Sequence, residues 1–254
     1  MLILDNVLFQ ELLKFPGLSD SDKAVYLRIH MFRPQSMEEL IAGAALARNT
    51  VSRSCNRLEK AGWLKWAEKG QRRIPIPIVP VPVQTVQAKM IEFRFNLANH
   101  KGEFLSKEYL YALVRQRNYI DNARPNFLIY PLTGEPLELD RYFPEEKVGS
   151  EYNGLQHYGP TEKYPDHEEF KQRRVRDLFK IGACAENGVI LVVLTARDLT
   201  LSRMVEKIPA RLSKNEVAPE GPVIHTLERL SRQYRTQIER IEKKLNSRNH
   251  FSRR

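Results

Sequence analysis

The stretch "RRIPIPIVPVPV", Arg72 to Val83, constrains this chain more than any other. Proline at alternate positions removes backbone donors and fixes φ, which excludes a helix and a central strand and predicts a stiff, extended segment. It separates an N-terminal block from a larger remainder. A second, polar and turn-rich stretch, "SKNEVAPEGP", precedes "VIHTLERLSRQYRTQIERIEKKL". There Leu227, Leu230, Tyr234, Ile238, Ile241 and Leu245 recur every three or four residues, the pattern of one long helix with a single apolar stripe. The stripe spans about three heptads, which fits either a short coiled coil, and so a homodimer through this helix, or a helix docked on its own domain. "NSRNHFSRR" reads as a frayed basic tail. The expected divisions are 1–72, a linker and connecting segment at 73–103, a central domain at 104–212, and a linker with a basic helix at 213–254.

Charge sets the class of partner. Lys+Arg number 41 against 31 Asp+Glu, a formal net charge of +10 over 254 residues. Such a surplus favours a polyanion, because each phosphate contact releases condensed counterions. Cys55 and Cys184 lie far apart and form no CxxC or CxxH pair, which argues against a disulfide framework or a zinc site and for a reducing compartment. The apolar start "MLILDNVLFQELLKF" lacks a basic leader and a cleavage site, and no apolar run approaches the roughly 20 residues needed to span a bilayer. The expectation is a cytoplasmic, nucleoid-associated protein with no membrane partner.

Between Ser19 and Pro80 the pattern is three helices and a two-stranded turn. Ser19 and Ser36 are suited to N-caps, Pro34 stops the first helix, and Glu39 stands three residues after Ser36 as in a capping box. In "ARNTVSRSCNRLEKAGWLKW", Val51, Cys55 and Leu58 share one face that would pack on the preceding helices. The other face carries Arg48, Asn49, Thr50, Ser52, Arg53, Asn56 and Arg57, groups able to reach base edges and phosphates in a major groove. Lys69, Arg72 and Arg73 make the following hairpin, turning at Lys69-Gly70, basic. This stretch resembles the winged helix-turn-helix domains of bacterial regulators and replication proteins, which implies binding to double-stranded DNA; such a fold used for protein contacts is the alternative.

From Phe104 to Leu212 the order reads helix, strand, strand, strand, helix, strand, helix. Ser106 is a plausible cap for the first helix. Two strands turn at Thr133-Gly134, the second ending near Asp140; a third, joined at Pro144-Glu145, carries Glu151 at its end. "VILVVLT" reads as a buried strand inside a mixed sheet. Phosphodiester hydrolysis needs hard cations held by carboxylates from separate strands, which Asp140 and Glu151 supply if their strands are neighbours. Asn153 lies one alternation from Glu151, and Gly154 would break the strand so that Gln156 and His157 bend toward a phosphate. Lys180, His157 and Lys171 are candidates to position or deprotonate a water. Each residue also fits a plainer role, with Arg173, Arg174, Arg176 and Lys180 as the wet face of a helix and Asp177 as an ion-pair partner.

"LDRYFPEEKVGSEYNGLQHY" followed by "RDLFKIGACAENGVILVVLTARDL" resembles the very-short-patch-repair-like branch of the PD-(D/E)XK nuclease superfamily, which includes homing-type endonucleases. The match covers about Ser106 to Met204. The resemblance implies a Mg2+- or Mn2+-dependent DNA endonuclease in which Asp140, Glu151 and Asn153 are metal ligands. His157 would be a general acid or base or a phosphate contact, Asp177 and Lys180 would face the site from their helix, and Glu108 would complete it from the first helix. Asn153 departs from the pattern, standing where the family usually carries Asp, and Ser150 stands where an apolar residue is usual. Asn brings no charge, so the rival reading is a DNA-binding regulator or replication accessory with an impaired nuclease-like domain. The expected architecture is α+β and multidomain: an N-terminal winged helix, a central restriction-endonuclease-like α/β domain with a mixed sheet, and a C-terminal long helix.

Overall fold

The computed structural model describes residues 3–69, 72–154 and 167–251. They fall into two compact units, one ending at Met90 and the other beginning at Ile91. The chain is mixed α and β, and among the described residues no helix is long and apolar enough to cross a membrane.

The first unit is built from α1 (Ile3–Lys14), α2 (Asp20–Phe32), α3 (Met37–Ala44), α4 (Arg48–Lys60) and the antiparallel strands β1 (Leu64–Lys69) and β2 (Arg72–Pro77). Local chemistry sets each boundary. Ser19 Oγ accepts from the Asp22 N–H while the Asp22 carboxylate accepts from the Ser19 N–H, closing a capping box on α2. Arg33 ends that helix in the left-handed region, φ 49°, just before Pro34. Ser36 caps α3 through the Glu39 N–H, but the Glu39 carboxylate takes the Gln35 N–H, so the reciprocal half of that expected box is displaced by one residue. Gly62, at φ 76°, ends the turn after α4 and sends the chain into β1. Val51, Cys55 and Leu58 join Tyr26, Ile29 and Leu40 around a fully buried Trp63. Leu8 and Leu12 of α1, which precedes the expected three-helix pattern within 1–72, complete this core.

The Pro-rich segment is not a linker. Its first half is β2, paired residue by residue from Leu64↔Pro77 to Lys69↔Arg72. In a two-stranded ribbon every strand is an edge, and prolines two apart place their missing N–H groups on one side. Ile74 and Ile76 keep theirs. The second half opens α5 (Val81–Leu97), where Pro82 sits in the first turn and loses no intrahelical bond.

In the second unit a mixed four-stranded sheet has the order β3 (Ile120–Ala123), β4 (Leu139–Phe143), β5 (Val148–Tyr152), β6 (Ile190–Leu194). The first two pairings are antiparallel and the last is parallel. Side chains alternate between two layers. Phe143, Val148, Ser150, Val192 and Leu194 face Leu110 of α6 (Lys101–Leu113) and Met204 of α8 (Leu201–Lys207). Tyr142 and Leu191 face Phe179, Ala183 and Cys184 of α7 (His167–Glu186). The turn at Thr133-Gly134 closes a short loop, bridged at Ile129↔Pro136, rather than joining two full strands. The strand before β4 is instead β3, whose polar "IDNA" gives little β signal. β6 lies at a sheet edge, with Ile190 exposed, rather than inside.

The final helix, α9 (Pro222–Phe251), belongs to this unit. Its first half docks on α6 through Ile224, Leu227 and Leu230, and Glu228 Oε1 accepts from Tyr109 Oη at 2.7 Å and from the Leu201 N–H. The segment before it is anchored by the Val114↔Lys214 bridge and by Asn215, which bonds back to Ala112, Leu113 and Val114. Residues 213–254, expected as a linker and a basic helix, pack on this unit, which is the docked arrangement of the two considered, and the helix runs through Phe251 where a frayed tail was expected.

Candidate active site

Asp140 and Glu151 flank the last rung of the β4–β5 ladder, Arg141↔Ser150. Beyond that rung the strands open, and the Asp140 carboxylate, through Oδ2, takes the Tyr152 N–H at 2.6 Å. Asp140 thus stands at the start of β4, not at the end of a strand. Burial and the neighbouring charges of Glu151 and Glu103 push its carboxyl up to about 7, against the opposing pulls of the Tyr152 N–H and Lys107. On the α7 side, Lys180 Nζ donates to Glu151 Oε1 at 2.5 Å.

β5 ends at Tyr152, and the Asn153 N–H continues the parallel ladder by donating to the Leu194 carbonyl at 2.7 Å. Its side-chain Oδ1 is buried with no hydrogen-bond partner among the described residues. A buried acceptor of this kind is costly unless something electropositive reaches it. Among the described residues, no three His, Cys, Asp or Glu side chains come close enough to hold an ion together. The oxygen donors at this end of the sheet are two carboxylates and the Asn153 amide, a hard set that suits Mg2+ or Mn2+ with further oxygens from water or phosphate. A cation here would offset the burial and the Glu151 and Glu103 charges that raise the Asp140 carboxyl, and would satisfy Asn153 Oδ1.

Glu151, Asp177 and Lys180 line one cavity of about 470 Å³ together with Arg124, Glu135, Glu138 and Arg176. Asp177 and Lys180 are three apart on α7 and so project from one side of it. Gln156 and His157 lie outside the described residues.

Glu108 is not part of this group. It is 5% exposed, lies 3.4 Å from Arg94 Nη1, and burial pushes its carboxyl up to about 7 despite Arg94 and Arg141. The first-helix residue near Asp140 is Glu103, which accepts from Lys107 Nζ at 2.5 Å. The difference lies in where the helix starts. α6 begins at Lys101, and Ser106, expected as its cap, is buried within it and donates to the Glu103 carbonyl. The i,i+4 pair Glu103/Lys107 was the available signal. Arg141, 1% exposed, holds the sheet to α6 by donating to both Asp121 oxygens and to the Lys107 carbonyl.

In the first unit, Arg48, Asn49, Arg53 and Asn56 are exposed on α4 and Thr50 and Ser52 are half-buried. Arg57 is exposed on the same helix, but its side chain is engaged. Its guanidinium grips the fully buried Asp22 with three contacts of 2.6–3.0 Å. Burial alone would raise the Asp22 carboxyl, but hydrogen bonds from Arg57, Ser54 and Ser19 outweigh it and hold Asp22 well below the usual range. Arg73 is exposed and stacks over Trp66 at 4.7 Å. The side chains of Lys69 and Arg72 lie outside the described part.

No protein-family model matches the chain, and no solved structure matches it. It is similar to "Uncharacterized protein 033L" of Invertebrate iridescent virus 3, 42% identical over 93 residues, which cover 36% of this chain and 47% of that protein. "Uncharacterized protein 307L" of Invertebrate iridescent virus 6 is 37% identical over 87 residues, 31% of this chain and 44% of its own length. "Uncharacterized protein 094L" of Frog virus 3 (isolate Goorha) is 29% identical over 103 residues, 39% and 65% respectively. All three are viral proteins. The chain spans about half the length of the first two relatives.

Proposed function

We propose that this chain is a DNA-binding, Mg2+- or Mn2+-dependent endonuclease. In this reading the first unit is a winged helix that holds double-stranded DNA through Arg48, Asn49, Arg53, Asn56 and Arg73. The second is a restriction-endonuclease-like domain that hydrolyses the phosphodiester. The carrying observation is the junction of β4, β5 and α7, where Asp140, Glu151 and Lys180 form one charge-coupled group. Asp140, Glu151 and Asn153 would hold the cation, which when bound supplies an activated water and offsets phosphate charge.

The chain's own residues orient the rest. Lys180, fixed by Glu151, offers N–H donors and a positive charge toward a phosphate entering the cavity, where charge grows as water adds to phosphorus and the scissile P–O bond breaks. Arg141 locks β4 to α6 and so keeps Asp140 in place. Exposed amide and guanidinium groups on α4 suit base edges, while Arg73 on its Trp66 platform suits a flanking phosphate.

Plasmid DNA incubated with the full chain and Mn2+ tests this. Nicking or linearisation that disappears in Glu151→Ala supports it, and intact plasmid under conditions of measured DNA binding overturns it. A second reading has one observation behind it: Lys180 already neutralises Glu151 without a metal. There the second unit is a binding module of a regulator or replication accessory. Calorimetry with Mn2+ separates the two, since the module would show no binding sensitive to Glu151→Ala.

A further inference from the structure

The cavity beside Glu151 holds two cations that the hydrolytic step does not use. Arg124 follows β3 directly, and Arg176 precedes Lys180 on α7 by four residues, so both look into the space that Lys180 lines. Each meets a glutamate at or just beyond the Thr133-Gly134 turn. Arg124 Nε donates to Glu138 Oε2 at 3.1 Å, and Arg176 Nη2 lies 3.6 Å from Glu135 Oε2. All four side chains are between 38% and 63% exposed. Exposed carboxylate pairs of this kind are weak, whereas guanidinium–phosphate contacts are charge-assisted and often bidentate. Arg176 is also held in place from below. It lies 5.5 Å above the ring of Tyr130, which is buried edge-on against Phe179.

We propose that Arg124 and Arg176 form a phosphate clamp, occupied by Glu135 and Glu138 in the free protein and by a backbone phosphate of the nucleic acid when a strand enters the cavity. The inference rests on the nuclease reading of the same site and specifies which groups hold the substrate next to the reacting phosphate. Charge explains the exchange. Arg124, Arg176 and Lys180 face Glu135, Glu138, Glu151 and Asp177. When Glu135 and Glu138 turn to solvent, three cations face two acids, and the cavity changes from a poor to a good anion site. Glu135 and Glu138 act as an internal competitor for nucleic acid, and relaxing their hold tightens binding.

The test is anisotropy of a fluorescent 5′-phosphorylated hexathymidylate with the full chain in EDTA over a salt series. The strand is too short for major-groove reading and uncleaved without metal. Arg124→Gln with Arg176→Gln should weaken binding about tenfold and lower the salt slope by about 0.7, one single-strand phosphate. Glu135→Gln with Glu138→Gln should tighten it about threefold. Tightening cannot come from misfolding, so the second pair guards the first. Unchanged affinity in either double variant, or no binding by the wild-type chain, overturns the clamp. Plasmid cleavage run in parallel separates the two ideas. If both shifts appear but wild type does not cut, the hydrolytic reading fails and the clamp stands. If wild type cuts and the shifts are absent, the clamp alone fails.

Discussion

Lys180 Nζ and Glu151 Oε1 meet at 2.5 Å with both side chains 13% exposed. One comes from a helix and the other from the sheet beneath it, so the pair fixes α7 to β5 at the point where the candidate ligands converge. Removing either partner strands a charge that water reaches poorly, and the cost falls on stability and on the site together.

Lys180→Ala should therefore lower the urea midpoint by an amount corresponding to on the order of 2 kcal/mol. Under the hydrolytic reading it should also slow plasmid cleavage by about 10²-fold or more. Lys180→Arg should recover most of the stability but less of the rate, because a planar guanidinium cannot place its charge where an ammonium sits. A Lys180→Ala chain that cuts at the wild-type rate would remove Lys180 from the chemistry.

The parts of this site that could be read from the sequence are those set by local pattern. Asp140 and Glu151 stand on either side of a short turn, and a hairpin brings such residues together in any register that buries Phe143 and Val148. What could not be read depends on distant chain. Arg57 looks like one more cation on an amphipathic helix until Asp22, 35 residues earlier, is placed beneath it. Glu103 falls outside a helix capped at Ser106, whereas the observed start at Lys101, six residues earlier, puts Glu103 in the first turn. The proline run departs from its expected linker for a different physical reason. Prolines two apart forbid a central strand but not a ribbon with two edges, and propensity alone does not separate these cases.

Asp140 and Glu108, each pushed to about 7, should shape the pH dependence of stability. An unfolded chain releases these protons near pH 4, whereas the folded chain keeps them to about 7. Between those limits the folded state binds more protons, so stability from these groups is full below about pH 4, declines as pH rises, and is flat above about 7. Thermal or urea melts from pH 4 to 8 should show this decline, reduced in Asp140→Asn and in Glu108→Gln. Under the proposed metal-binding reading Asp140 must be ionised to hold Mn2+, so metal affinity should rise toward pH 7 and binding at pH 6 should release a proton. Calorimetry in two buffers of different ionisation enthalpy reads that proton directly.

On α4, adjacent arginines should separate stability from binding. Arg57→Ala leaves the buried Asp22 carboxylate without its cation, and should lower the urea midpoint of the first unit. Its effect on DNA affinity should be small once folding is accounted for. Because Asp22 is held low, the stability it contributes is present above about pH 4 and is lost only as pH falls further. Arg53→Ala should do the reverse, leaving the melt unchanged while weakening duplex binding by about 1–3 kcal/mol. Equal DNA affinity for wild type and Arg53→Ala would take the exposed face of α4 out of the interface.

Gly102 gives a way to disturb the site without touching a ligand. It lies in α6, and an added Cβ would overlap the ring of Tyr152, the residue whose N–H holds the Asp140 carboxylate. Tyr152 also shares a 3.0 Å hydrogen bond between its hydroxyl and that of Tyr234 on α9. Alanine in a helix interior normally gains about 1 kcal/mol over glycine. At Gly102 the ring must swing away and release Tyr234, so Gly102→Ala should instead destabilise by about 1–3 kcal/mol. Gly182, on α7, has open space where its Cβ would go, and Gly182→Ala should stabilise by roughly 0.5–1 kcal/mol. Melts of the two variants should move in opposite directions. Under the metal-binding reading, Mn2+ affinity should fall in Gly102→Ala alone, because only there is Tyr152, the residue that orients Asp140, displaced.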